Sequence, residues 1–206
     1  MTDRTAGLLQ RTREFFFPPA VSTAAELKAF ASGEAAYLAQ KTVIGYCRVK
    51  TMYDYDKLLK EPAFRDGYDI CRWEGYAGTL GDTLILIEGL LRPADESARQ
   101  KLADSVGALY PQLLAEAQAP HRSDWTDWQD AFARRYALTQ HAEPAHPDHV
   151  IEDTAKLIHE LVPIHPRLKR EDREVILGDL RLHALAMHAS MLKRFRRDAL
   201  VRELTA

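Results

Sequence analysis

Apolar residues along this chain recur at spacings of three and four, the period of a helix with one buried face. The alternation of β-branched and polar residues that marks half-buried strands is absent, and Ala, Leu, Glu and Arg dominate. The pattern predicts an all-α, single-domain helical bundle of about seven helices. A long antiparallel helical hairpin, Glu34–Leu91, forms its centre, with residues 1–20 as an amphipathic N-terminal arm and residues 21–206 as the helical domain.

Punctuation sets the expected boundaries. The arm carries Leu8, Thr12 and Phe15 on one side and stops at Phe15-Phe16-Phe17-Pro18-Pro19. Thr23 and Glu26 make a capping-box pattern for a short helix that Gly33 is expected to break. A helix from about Glu34 to Lys60 then stops before Pro62, and another covers about Ala63–Leu91 before Pro93. Asp95 caps a helix to about Ala117, and Ser123 one to about Gln140. Pro147 starts another to about Leu161, and the last runs from about Glu171 to Leu204.

The helix before Pro93 is unusual. Projected at about 100° per residue, Trp73, Ala77, Leu80, Leu84, Ile87 and Leu91 form a core seam. The strip beside it holds Glu74, Gly78, Gly81, Ile85 and Glu88. Interior glycines each cost about 1 kcal/mol against alanine, so close approach by a helix backbone or a ligand must offset Gly75, Gly78 and Gly81. A buried carboxylate also needs a cation, a proton or a metal. With the hairpin turn near Glu61–Pro62, Arg48 faces Glu74, and Glu34 lies level with Glu88. The expectation is an Arg48–Glu74 ion pair and a Glu34–Glu88 carboxylate pair.

Composition narrows the function classes. The chain has 206 residues and a formal charge of −2, which argues against nucleic-acid binding through counterion release. Two cysteines, Cys47 and Cys71, make no disulfide framework and suit a reducing cytoplasm. Apolar runs such as Leu84–Ile87 are far short of the roughly 20 residues that span a bilayer, and no basic start followed by an apolar segment suggests a leader. Nucleophile, phosphate-loop and dinucleotide motifs are missing; Gly75, Gly78 and Gly81 sit mid-helix, where no strand precedes them.

The histidines offer weak metal chemistry. Glu143-x-x-His146 contains Pro144, and His146-x-x-His149 with Asp153 is a loose set. His183 and His188, five residues apart, project about 140° from one another, so one helix cannot aim both at a single ion. Asp179 precedes His183 by one turn and is placed to orient it. The aromatic stripe Trp125, Trp128, Phe132 and Tyr136 reads as the core face of its helix.

Three functions follow as expectations. The first is a cytoplasmic module that binds a partner protein or small ligand, as a homodimer, with no cofactor. The second is a small-molecule enzyme, metal-assisted or not, with ligand-binding residues Arg48, Glu74, Glu88, His183 and His188 lining a pocket between helices. The third is a membrane-surface adaptor using the Phe15–Phe17 arm and the cations Lys193, Arg194, Arg196, Arg197 and Arg202.

Overall fold

A computed structural model describes residues 19–206, and the regular elements among these are helices. The first is α1, Ala24–Thr51, followed by a 3-10 turn, Met52–Asp54, and the single-turn α2, Tyr55–Leu58. Then come α3 (Pro62–Leu91), α4 (Glu96–Gly107), α5 (Leu109–Glu116) and α6 (Thr126–Gln140). The single-turn α7 (Pro147–Val150) precedes α8 (Glu152–Leu161) and the single-turn α9 (Pro166–Lys169). Finally α10 spans Arg173–Arg194 and α11 Arg197–Leu204. Eight of these exceed one turn, in keeping with a bundle of about seven. The amphipathic arm expected over residues 1–20 lies almost wholly outside the described residues.

The centre of the molecule is α3. Every residue from Glu74 to Glu88 is buried, on all sides of the helix, and α1, α4, α5, α6, α7, α8 and α11 all pack against it. A helix enclosed in this way has no solvated face on which to place polar residues. The glycines are what let the neighbours so close. A Cβ on Gly78 would lie 2.8 Å from Thr154 Oγ1, and one on Gly81 3.1 Å from a Phe132 ring carbon. The close approach is made by side chains of α8 and α6 against the α3 backbone.

Several boundaries differ from expectation, each for a local reason. Gly33 does not break α1, because the buried face continues on either side through Leu27, Phe30, Ala31, Ala35 and Leu38. The break falls instead at Met52, whose φ of 46° ends the helix without a Gly or Pro nearby. The helix expected after Asp95 splits at Ala108, because Pro111 has no N–H for the Gly107 carbonyl and crowds it. Trp125, not Ser123, is the residue before α6; the Thr126 amide there donates to Asp124 Oδ1. The helix after Pro147 splits at Ile151, where the Val150 carbonyl accepts from the Arg135 guanidinium.

The last expected helix splits at Phe195. The Val21 amide donates to the Arg194 carbonyl, and the Arg196 amide donates to the Val21 carbonyl, each at 2.9 Å. This short main-chain bridge is the one strand-like pairing among the described residues. The extended Phe195 turns its buried ring edge-on to Phe30, 5.0 Å away.

Candidate functional site

The pairing of α1 with α3 sets where the carboxylates of α3 can find partners. Thr79 Oγ1 donates to the Ala35 carbonyl at 2.9 Å, and a Cβ on Gly75 would meet Ala39. Ala35 thus lies opposite Thr79, and Ala39 opposite Gly75. This register is shifted by about two helical turns from that of an unbroken hairpin. The shift arises because the chain bends at Met52 and spends Met52–Glu61 on short turns. Arg48 therefore does not reach Glu74; it is exposed, with its guanidinium 5.2 Å from the centre of the Tyr55 ring. Glu34 and Glu88 do not meet either. Burial holds the Glu34 carboxyl above its ordinary range, partly offset by Arg194.

Three of the five acids of α3, Glu74, Asp82 and Glu88, are buried, and none is paired as the unbroken hairpin would have it. Glu88, fully buried, accepts two hydrogen bonds from Arg92, one turn later on the same helix, at 2.9 and 2.6 Å. Arg92 also donates to the Thr139 and Ala142 carbonyls at the end of α6. Glu74 accepts from Arg122 through both carboxylate oxygens, from His121 Nε2 at 2.7 Å and from Trp128 Nε1 at 2.7 Å. Burial alone would raise the pKa of this carboxyl, but the donors from Arg122, His121 and Trp128 together hold it below the ordinary carboxylate range. Arg122 reaches on to Asp127 and lies 4.9 Å from the centre of the Trp125 ring. This knot pins the 117–125 loop onto α3.

The third acid, Asp82, was not singled out from the sequence. It is fully buried, accepting from Arg135 Nη1 at 2.7 Å and from Thr154 Oγ1 at 2.6 Å. Burial pushes its carboxyl up to about 6, with Arg135 and Thr154 pulling the other way. A signal for Asp82 existed: it is an acid inside Leu80–Ile87, where the residues around it leave no polar face. Arg135 follows Phe132 of the aromatic stripe by three positions, at the edge of its core face.

Of the sequence-predicted site residues, none contacts another. His183 sits edge-on to Tyr37, ring centres 5.7 Å apart, with Asp179 Oδ1 3.6 Å from its Nε2. Asp179 also accepts from Thr42 at 2.7 Å. His188 is half-buried, and burial, then nearby His146, lower its pKa. The His146 and His149 rings stand 6.2 Å apart, each beside an acid of its own segment, Asp148 and Glu152. Among the described residues no group of three or more His, Cys, Asp or Glu side chains is placed to hold a metal ion.

A cleft of about 490 Å³ opens between α3, α6 and α8. Gly78 and Gly81 form its floor, and Tyr110, Trp128, Phe132, Leu138 and Leu157 its walls. Arg134, Arg135, Asp153 and Thr154 supply its polar groups. Two of these, Arg135 and Thr154, are fixed from behind by Asp82. The lining is mostly apolar, with a few held polar atoms. A second recess, about 570 Å³ and polar, exposes one side of the Glu74–His121–Arg122 knot. A groove of about 640 Å³ between α4 and α6 has Asp104 and Asp130 at its edge and no arginine or lysine.

Comparison with protein-family models, curated proteins and solved structures finds no match for this chain. The functional reading therefore rests on the geometry above. Among the described residues no helix is long and apolar enough to cross a membrane.

Proposed function

We propose that this protein is a helical binding module organised on the antiparallel α1–α3 pair, working in the cytoplasm as a homodimer. Its ligand is a small molecule with a flat apolar body and one anionic group, held in the α3–α6–α8 cleft. The observation that carries this reading is the cleft's construction. Its apolar walls carry the cation Arg134 and the acid Asp153, while Arg135 and Thr154 are pre-positioned by a buried acid that takes no part in lining it, which leaves Arg134 as a cation not held by Asp82. Preorganised polar groups of this kind lower the entropic cost of binding. Cys47 and Cys71 are both free and buried, in keeping with a reducing compartment; burial pushes Cys47 up to about 12.

Anilinonaphthalene sulfonate combines an aromatic body with a fixed negative charge, so it is a suitable first probe. Saturable one-to-one fluorescence enhancement is expected in the wild type. Ala131→Trp, which fills the cleft from an exposed position, should abolish it, and Arg134→Glu should weaken it at least tenfold, about 1.4 kcal/mol. No saturation, or binding by both variants as tight as the wild type's, would sink the cleft reading.

A second reading, an enzyme, has one observation in its favour. His121 is held by Glu74 at the mouth of an open recess, as a carboxylate holds a catalytic base. Turnover of small ester or phosphoester substrates, lost in His121→Ala, would support it; no turnover of either class would remove it. The membrane-surface adaptor has less support, because two of its cations are committed to the fold. Arg194 lies 5.0 Å from the centre of the Phe30 ring and donates to the Pro19 carbonyl, and Arg197 donates to the Arg92 carbonyl at 2.8 Å. Its expected sign is salt-sensitive pelleting with anionic vesicles; no pelleting at low salt would end it.

A further inference from the structure

The helix α10 is apolar on two opposite faces. One, through Leu177, Leu180, Ala184, Met187 and Met191, is in the core. The other points away from the molecule and carries Val175, Gly178, Leu182, Leu185, Ala189 and Leu192. Those spacings are three and four in strict alternation, the repeat of a coiled-coil seam. The large residues are well exposed: Val175 58%, Leu182 65%, Leu185 42% and Leu192 61%. Gly178 has no neighbour within 4 Å of the place a Cβ would occupy.

This stripe reads the same in both directions. Its pattern is large, small, large, large, small, large, centred between His183 and Ala184. Set against a reversed copy, Val175 meets Leu192, Gly178 meets Ala189 and Leu182 meets Leu185. A two-fold axis requires this kind of self-complementarity, in which residue i meets j and j meets i. The same reversal brings Glu174 level with Lys193, an acid with a base at each end. A parallel pairing would instead set Lys193 beside Lys193.

We propose that α10 packs antiparallel against α10 of a second copy of this chain, about a two-fold axis that crosses the helix between His183 and Ala184. The proposal rests on the homodimer part of the reading above and is independent of the cleft. Arg194 does not oppose it through like charge with Arg173, since its guanidinium is turned inward over Phe30.

Light scattering and sedimentation on the full chain test the occupant, and engineered cysteines test the direction. The wild type is expected to be a dimer. Leu182→Glu/Leu185→Glu, at two exposed positions, should weaken association at least a hundredfold while leaving the helical circular dichroism unchanged and removing any concentration dependence of the melting temperature. Val175 and Leu192 lie about 25 Å apart along the helix. A mixture of Val175→Cys and Leu192→Cys chains should therefore oxidise to a cross-linked dimer, and Val175→Cys alone should not.

A wild type that stays monomeric at millimolar concentration overturns the proposal. So does a dimer indifferent to the glutamates, or a Val175→Cys chain that cross-links with itself. If deleting residues 1–18 converts a monomer into a dimer, the occupant is this chain's own N-terminal segment, and the second copy is excluded. Probe binding by the monomeric double variant reports on the cleft separately, so either idea can fail without the other.

Discussion

Gly78→Ala puts the packing of α3 to a quantitative test. Alanine in a helix interior gains about 1 kcal/mol over glycine. Against that, the new methyl would lie 2.8 Å from Thr154 Oγ1 and 2.9 Å from Thr154 Cγ2, so Thr154 must move. Thr154 is buried and its hydroxyl holds Asp82 at 2.6 Å. Overpacking a core site costs about 1–3 kcal/mol, and a buried acceptor that loses its donor costs about 1–3 kcal/mol more. The net expectation is a loss of about 3 kcal/mol, or about 6–12 °C in melting temperature for a chain of this size. Gly33→Ala and Gly45→Ala are the controls. Both glycines are exposed in α1 with nothing within 4 Å of a new Cβ, and each substitution should stabilise by about 0.5–1 kcal/mol. Urea denaturation followed by far-ultraviolet circular dichroism measures all three. Thr154→Ala in the Gly78→Ala background should cost less than Thr154→Ala alone, since the two share one contact. If Gly78→Ala stabilises as much as Gly33→Ala does, the close approach of α8 to α3 is not what the glycines serve.

Two further outcomes follow from the buried acids. Asp82 holds its proton to about pH 6 in the fold, against an ordinary value of 3.8, so the folded chain binds more protons than the unfolded one in that interval. Its contribution to stability is full below about pH 4 and falls by up to ~3 kcal/mol as the pH rises through about 6. Asp82→Asn should remove that slope from a series of urea midpoints, and parallel profiles for the two proteins would contradict the assignment. Glu74, held below the ordinary range, has the opposite sign: the stability it supplies is lost as the pH falls through its lowered value. Arg92→Met strands the buried Glu88 and should cost about 3–5 kcal/mol, most of which Glu88→Leu in the same chain should restore. A double variant no more stable than the single one would show that Arg92 acts through the Thr139 and Ala142 carbonyls instead.

The helical class was legible from the period of the apolar residues, and so were the helix starts that have a chemical signal. Thr23 with Glu26, Asp95 and Pro147 all stand where the structure uses them, whereas Pro62, read as the stop of the preceding helix, opens the next one. Breaks without such a signal were hidden. Nothing in the residues around Met52 announces a left-handed backbone, and Phe195 is extended because Val21, far off in sequence, bonds to both sides of it. The burial of Glu74 and Glu88 was legible, since both sit in the greasiest helix. Their partners were not, because the bend at Met52 moves α1 by about two turns against α3. Arg122 lies in a loop whose path the pattern of apolar residues does not constrain, and Arg92 was missed because partners were sought on the adjoining helix, not one turn along from Glu88.

The main-chain clasp between Val21 and the Arg194–Arg196 segment has a consequence for biosynthesis. Pro19 and Arg194, which the Arg194 guanidinium also links, stand 175 positions apart. A ribosome adding about 5–20 residues per second delivers the second strand of the clasp roughly ten to thirty-five seconds after the first. Through that interval Phe30 has no Phe195 to shield it, so the opening turns of α1 leave the exit tunnel as a sticky end.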